Sequence, residues 1–289
     1  LSVINHDTDT EQWTQIIAPK TGLFDLHLKD VWRYRDLLML FVKRDFIAQY
    51  KQTILGPLWH FIQPALTALM FLILFSRIAN IPTDGVPPIL FYLSGITLWN
   101  YFSSCLTNTA NTFTLNANIF GKVYFPRLVL PLSVIISNLI RFGIQFLLLF
   151  SVMVWYAIKG NPFYIGWSWL WIPVLLLIMA MFGLGFGIII SSLTTKYRDF
   201  TVLLAFAVQL AMYIAPVAYP MSFLKSKSYA TWIQWNPLTP VIESFRNALF
   251  GIGEADISGL MYSFTVSVVL LFIGILLFNR VEKSFMDTV

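Results

Sequence analysis

Apolar residues in this chain gather into runs long enough to cross a bilayer, at 55–79, 89–107, 128–158, 167–193, 201–221 and 257–278. A hydrocarbon core of roughly 30 Å takes about 20 apolar residues in helical form, so the pattern predicts six transmembrane helices. The third run holds 31 residues, or ~46 Å at ~1.5 Å per residue; it must tilt, kink or project beyond the lipid. Between the fifth and sixth runs lies a weaker stretch, 232–250, broken by Asn236-Pro237 and Pro240 and carrying Glu243 and Arg246. It is too short and too polar to span, and is expected to be a re-entrant or surface segment satisfied by protein. Glu243 and Arg246, three apart on one helical face, are placed to pair.

Ahead of the first run, residues 31–50 carry Tyr34, Leu37, Leu38 and Phe41 at steps of three and four, a helical period. Arg33, Asp36, Lys43 and Arg44 fall mostly on the rest of that helix. The segment is predicted to be an amphipathic helix at the membrane surface. Gly56-Pro57 then ends one helix and starts another, because Pro suits a first turn and disfavours helix in the residue before it.

Of the 289 residues 57% are hydrophobic and only 11% charged, far too little charge for a soluble surface. The net charge of +5 does not indicate nucleic acid, because the basic residues sit between apolar runs, where they set orientation. With both termini cytoplasmic, thirteen Lys and Arg lie on that side against five on the other, and Arg141 lies within a run. The first thirty residues have no basic start followed by an apolar core, so no leader is expected and targeting falls to the spans. Cys105 is the only cysteine, which rules out an intramolecular disulfide, and no Cys/His spacing suggests zinc.

Catalytic patterns are absent from the sequence. There is no G-x-x-x-x-G-K-[ST] loop to cradle ATP phosphates. Gly183, Gly185 and Gly187 lie inside an apolar run, and the first and last have the spacing of small-residue helix packing. His6, His27 and His60 are scattered, and no carboxylate lies within the six runs, which argues against proton coupling. Arg141, inside the longest run, either faces the bundle interior or reaches an interface. Aromatics make up 17%; interfacial belts account for many, such as Trp167, Trp169 and Trp171.

Three segments carry a family resemblance. Residues 44–59 read RDFIAQYKQTILGPLW and are followed by Pro64; residues 236–246 read NPLTPVIESFR; residues 118–127 read NIFGKVYFPR. Together they resemble the ABC-2 type permeases, and among these the exporters of O-antigen, capsule and teichoic acid, over roughly residues 30–280. The resemblance implies an all-α membrane protein: a cytoplasmic N-terminal region with the interface helix at 1–54, and an ABC-2 transmembrane domain at 55–289. That domain has six transmembrane helices and an extracytoplasmic re-entrant segment between helices 5 and 6. It implies a homodimer in the inner membrane of a bacterium, working with a separate ABC ATPase that alone holds ATP and Mg, so this chain is a transport subunit without cofactor or catalytic residues. Its cargo would be a lipid-linked polysaccharide; the alternative is an ABC-2 exporter of drugs or other small hydrophobic molecules. Coupling to the ATPase would use Arg33, Lys43, Arg44, Asp45, Asn116, Lys122, Tyr124 and Arg127, with the 196–199 loop a weaker second candidate. Asn236, Pro237, Glu243 and Arg246 would belong to the gate. Trp59, Trp99, Tyr101, Tyr213, Tyr219 and Trp232 would offer aromatic faces to a glycan.

Overall fold

The computed structural model describes residues 28–120, 125–126, 128–160, 166–194, 197, 199–224, 227, 230–252 and 256–285. Every regular element among them is helical. The helix expected over 31–50 is split in two, α1 (Leu28–Arg33) and α2 (Arg35–Tyr50), because Tyr34 leaves helical geometry at φ −92°, ψ 19°. A short connection with left-handed backbone at Gln52 and Gly56 (φ 65° and 48°) joins α2 to the next helix. Gly56 has no Cβ to oppose that conformation, and Pro57 starts the 3₁₀ turn Gly56–Leu58. This turn runs on through α3 (Trp59–Phe71) and a π-helical end, Leu72–Ile78.

Next come α4 (Pro88–Ala110), the short α5 (Thr112–Phe120) and α6 (Val129–Ile158). A 3₁₀ turn over Trp167–Trp171 leads into α7 (Ile172–Thr194), followed by α8 (Asp199–Ile214). The chain ends with α9 (Met221–Leu224), α10 (Ala230–Gln234), α11 (Thr239–Phe250) and α12 (Ile257–Phe285).

Among the described residues five helices are long and apolar enough to cross a membrane: Gly56–Ile78, Pro88–Ala110, Val129–Ile158, Trp167–Thr194 and Ile257–Phe278. They coincide with five of the six apolar runs. The remaining run, 201–221, does not continue as helix to its end. α8 stops at Ile214 after 16 residues, ~24 Å of rise. Pro216 and Pro220 explain the stop, since neither supplies a backbone N–H and each disfavours helix in the residue before it. Ala215, Val217 and Ala218 follow as a buried non-helical turn.

α7 is the centre of the bundle, packed between α4 and α12. Glycines allow that approach on both sides. A Cβ at Gly183 would lie 2.6 Å from Cys105 Cβ and one at Gly187 2.5 Å from Thr109 Cβ, both on α4. A Cβ at Gly185 would meet the backbone of Leu271 on α12 at 2.8 Å, and one at Gly274 would meet the Gly185 carbonyl at 2.9 Å. Gly185 and Gly274 meet backbone and Gly183 and Gly187 meet the small side chains of Cys105 and Thr109, close approaches of the small-residue kind. α3 and α8 lie at the margin. Only Pro64, Ala68 and Phe71 of α3 are buried and only Leu204 of α8, while Leu66, Met70, Val202, Leu203 and Phe206 stand exposed.

Candidate functional site

At one end of the bundle α2 lies against the start of α6. Val31, Leu38, Phe41 and Val42 form a small core with Phe125, Val129 and Leu130. Phe41 meets Phe125 at 5.7 Å between ring centroids, so Phe125, shortly before α6, is held against α2. The opposite side of this N-terminal pair is not purely polar: Trp32, Met39, Leu40 and Ile47 are exposed. Arg33 and Lys43 are exposed as well, and Arg44 and Asp45 are half-buried. Arg44 donates to Asp45 Oδ1 from Nε and Nη2 at 2.9 and 2.8 Å and stacks 4.8 Å over Phe41. Asn116 donates to the Thr112 carbonyl of its own helix. Lys122, Tyr124 and Arg127 lie outside the described residues. The sequence offers Phe125, beside Pro126, as an interfacial aromatic; its packing against Phe41 of α2 has no signal in the sequence.

The other end is built around α11. Asn236 Oδ1 accepts from the Leu238 N–H, Thr239 Oγ1 donates to the Ile233 carbonyl, and Pro240 occupies the first turn. α12 secures the α10–α11 turn: Ser263 Oγ donates to the Pro237 carbonyl and Tyr262 Oη to that of Trp235. α11 itself is largely buried against α12, α7 and α4, and Gly251 closes it in the left-handed region at φ 67°. Arg246 is 4% exposed. Its Nη1 and Nη2 donate to the carbonyls of Pro216 and Val217, both at 2.7 Å. Nη1 also reaches Glu243 Oε1 at 3.3 Å, the pair expected from their spacing. The turn that ends α8 leaves carbonyls without helical partners, and Arg246 supplies the donors.

Between these ends a polar seam joins α4 to α6. Asn100 Nδ2 donates to Gln145 Oε1 and Asn108 Nδ2 to Asn138 Oδ1, both at 3.3 Å; Arg141 Nη1 donates to Asn138 Oδ1 at 2.7 Å. Arg141 therefore turns into the bundle rather than away from it. The residues expected to offer aromatic faces divide. Trp59, Tyr213 and Trp232 are exposed, and Tyr219 Oη donates to the carbonyls of Tyr213 and Ile214 at the end of α8. Trp99 and Tyr101 are buried instead. They are 3% and 4% exposed, packed on Phe102 and Phe142, because α3, α6 and α7 cover most of α4.

Residues 36–250 match the ABC-2 type transporter family. The chain belongs to that family. The matched region runs from the first turn of α2 to the last residue of α11, so α2 and the Arg246 segment both fall within it, while α1 precedes it. This ABC-2 chain is 29% identical over 253 residues to an O-antigen export system permease protein RfbA of Klebsiella pneumoniae, covering 87% of this chain and 94% of that one. It is 27% identical over 263 residues to RfbA of Myxococcus xanthus, covering 91% and 98%. Against the polysialic acid transport protein KpsM of Escherichia coli it is 24% identical over 250 residues, covering 85% and 93%.

Proposed function

We propose that this ABC-2 chain is the membrane-spanning permease subunit of an exporter that moves a lipid-linked polysaccharide across the cytoplasmic membrane, driven by ATP hydrolysis on a separate subunit. The observation that carries the reading is the similarity, along nearly their whole length, to proteins named for O-antigen export and for polysialic acid transport. In this reading both termini are cytoplasmic and α8 with the turn after it makes the fifth of six crossings. α11 is the extracytoplasmic re-entrant segment. Two copies assemble through the margin of the bundle, where α3 and α8 leave apolar side chains exposed; those helices face the path, with Trp59 and Tyr213 on them.

Coupling enters through α2 and the segment before α6. A partner that pushes on Arg33, Lys43 or the 116–127 region moves α6 directly, because Phe41 and Phe125 join them. ATP and Mg are held by the partner. The test is co-expression with the P-loop ATPase encoded alongside, followed by turnover measurements in lipid for wild type, Lys122→Ala and Tyr124→Ala. Stable association with turnover lowered by the loop substitutions is the expected result. A chain that retains no ATPase through purification contradicts the reading.

A further inference from the structure

Tyr50 is the last residue of α2 and His60 lies in the first turn of α3. Their rings meet edge to face at 5.6 Å, with Phe46 packed 4.7 Å from Tyr50 on the other side. α6, which carries Arg141, packs against both α2 and α3. The Tyr50 hydroxyl, His60 Nε2 and Arg141 Nε are all closed to solvent without a hydrogen-bond partner among the described residues. Each is a buried polar atom that costs free energy as it stands.

Arg246 also leaves its Nε without a partner, so the missing bond alone does not single out Arg141. The missing counter-charge does. Arg246 has Glu243 at 3.3 Å. Arg141 has only the neutral Asn138 amide, and among the described residues no carboxylate lies within ion-pair distance of it. Asp45 acts on it electrostatically, but Arg44 already engages Asp45 Oδ1 twice. The neighbourhood of Arg44, Asp45 and Arg141 thus keeps one net positive charge. An arginine turned into a membrane bundle without an anion is expensive and marks a functional position by default.

The available groups are donors: guanidinium N–H, a phenol hydroxyl that burial keeps protonated, and an imidazole that donates when its proton is on Nε2. Such a set fits a phosphate, which accepts several charge-assisted hydrogen bonds at once. Its place fits too. Tyr50 and His60 flank the turn between α2 and the thinly covered α3, which in the exporter reading is the cytoplasmic entry to the first span.

We propose that Arg141, Tyr50 and His60 form a phosphate-binding site where α2, α3 and α6 meet, and that it holds the phosphate of the lipid-linked substrate on the cytoplasmic side. The assignment of the ligand as substrate rests on the exporter reading above. The same chemistry is offered by an ordinary anionic lipid, and the test separates the two.

The full chain is placed in phosphatidylcholine nanodiscs and titrated with farnesyl diphosphate, with melting temperature recorded for each variant. Saturable binding is expected, weakened about ten- to hundredfold by Arg141→Gln, the loss of a charge-assisted contact. Tyr50→Phe, which keeps the ring contacts, weakens it several-fold; Arg141→Lys, which keeps the charge, weakens it less than Arg141→Gln. If Arg141→Gln does not fold, Tyr50→Phe and Arg141→Lys decide. Absence of binding to wild type, or equal affinity in wild type and variants, overturns the site. If phosphatidylglycerol at equal mole fraction displaces farnesyl diphosphate completely, the substrate assignment falls and the ligand is a bilayer headgroup. ATP-driven glycan export by wild type with its ATPase is measured separately. Export by wild type with unaltered binding in the variants sinks only the site. Mutation-sensitive binding without export sinks only the exporter reading.

Discussion

The guanidinium carbon of Arg246 sits 3.7 Å over the ring of Phe91, which ties α11 to the first turn of α4. The same side chain holds the two carbonyls that follow α8. One residue therefore joins three parts of the chain at one end of the bundle, and a cation over an aromatic face in a buried setting adds to its hydrogen bonds.

Arg246→Met is expected to lower stability by about 3–5 kcal/mol, since it removes one partner of a buried pair and strands the Pro216 and Val217 carbonyls. Glu243→Gln, which leaves those carbonyl contacts in place, costs about 1 kcal/mol. Thermal unfolding of both variants in detergent checks the ranking. Equal losses would mean that the ion pair, rather than the carbonyl contacts, carries the effect.

Glycine substitutions on α7 separate contact from flexibility. Gly187→Ala and Gly185→Ala drive a methyl into α4 and α12 respectively, and each is expected to cost about 1–3 kcal/mol as the helices part. Gly143→Ala on α6 meets nothing within 4 Å and is neutral or stabilises by up to ~1 kcal/mol through helix propensity. Melting temperatures of the three variants in one lipid composition provide the comparison.

Asp256 caps α12. Its Oδ1 accepts from the Gly259 N–H at 2.9 Å and from Ser258 Oγ, and these bonds hold its carboxyl below the usual aspartate range. A depressed folded pKa means that the contribution is fully present above the unfolded value and is lost as pH falls through the folded one. Asp256→Ala therefore costs about 1 kcal/mol at neutral pH and progressively less in strong acid. Stability curves of wild type and variant that converge on acidification support the cap; a constant gap argues against it.

Phe41→Ala removes the ring that meets Phe125 and empties the small core under α2, an expected local loss of about 3 kcal/mol. Hydrogen exchange should then rise in α2 while the α4–α7 contact stays protected. With the ATPase present, turnover should become less responsive to the permease.

Much of this architecture is legible in the sequence, because lipid imposes one rule on every span: a run of about 20 apolar residues closes its own hydrogen bonds. Five runs match five helices for that reason, and the glycines of α7 and the Glu243–Arg246 pair follow from spacing alone. The end of α8 was harder to see. Residues 201–221 are apolar throughout, and hydropathy does not register that Pro216 ends the helix or that Arg246, thirty positions later, takes its carbonyls. Tyr34, which breaks the surface helix, gives no compositional sign. The burial of Trp99 and Tyr101 is not legible either, because an aromatic residue's position along a run does not tell which neighbours cover it. Lys122, Tyr124 and Arg127 fall outside the described residues, so their part in coupling rests on the resemblance.

The most direct test of the central claim is uptake of a radiolabelled lipid-linked glycan by inside-out vesicles containing the chain and its ATPase. The account predicts accumulation that requires ATP, is lost when the ATPase is omitted, and discriminates against a hydrophobic drug of similar size. Vesicles that transport the drug but not the glycan would contradict it, as would glycan uptake that proceeds without ATP.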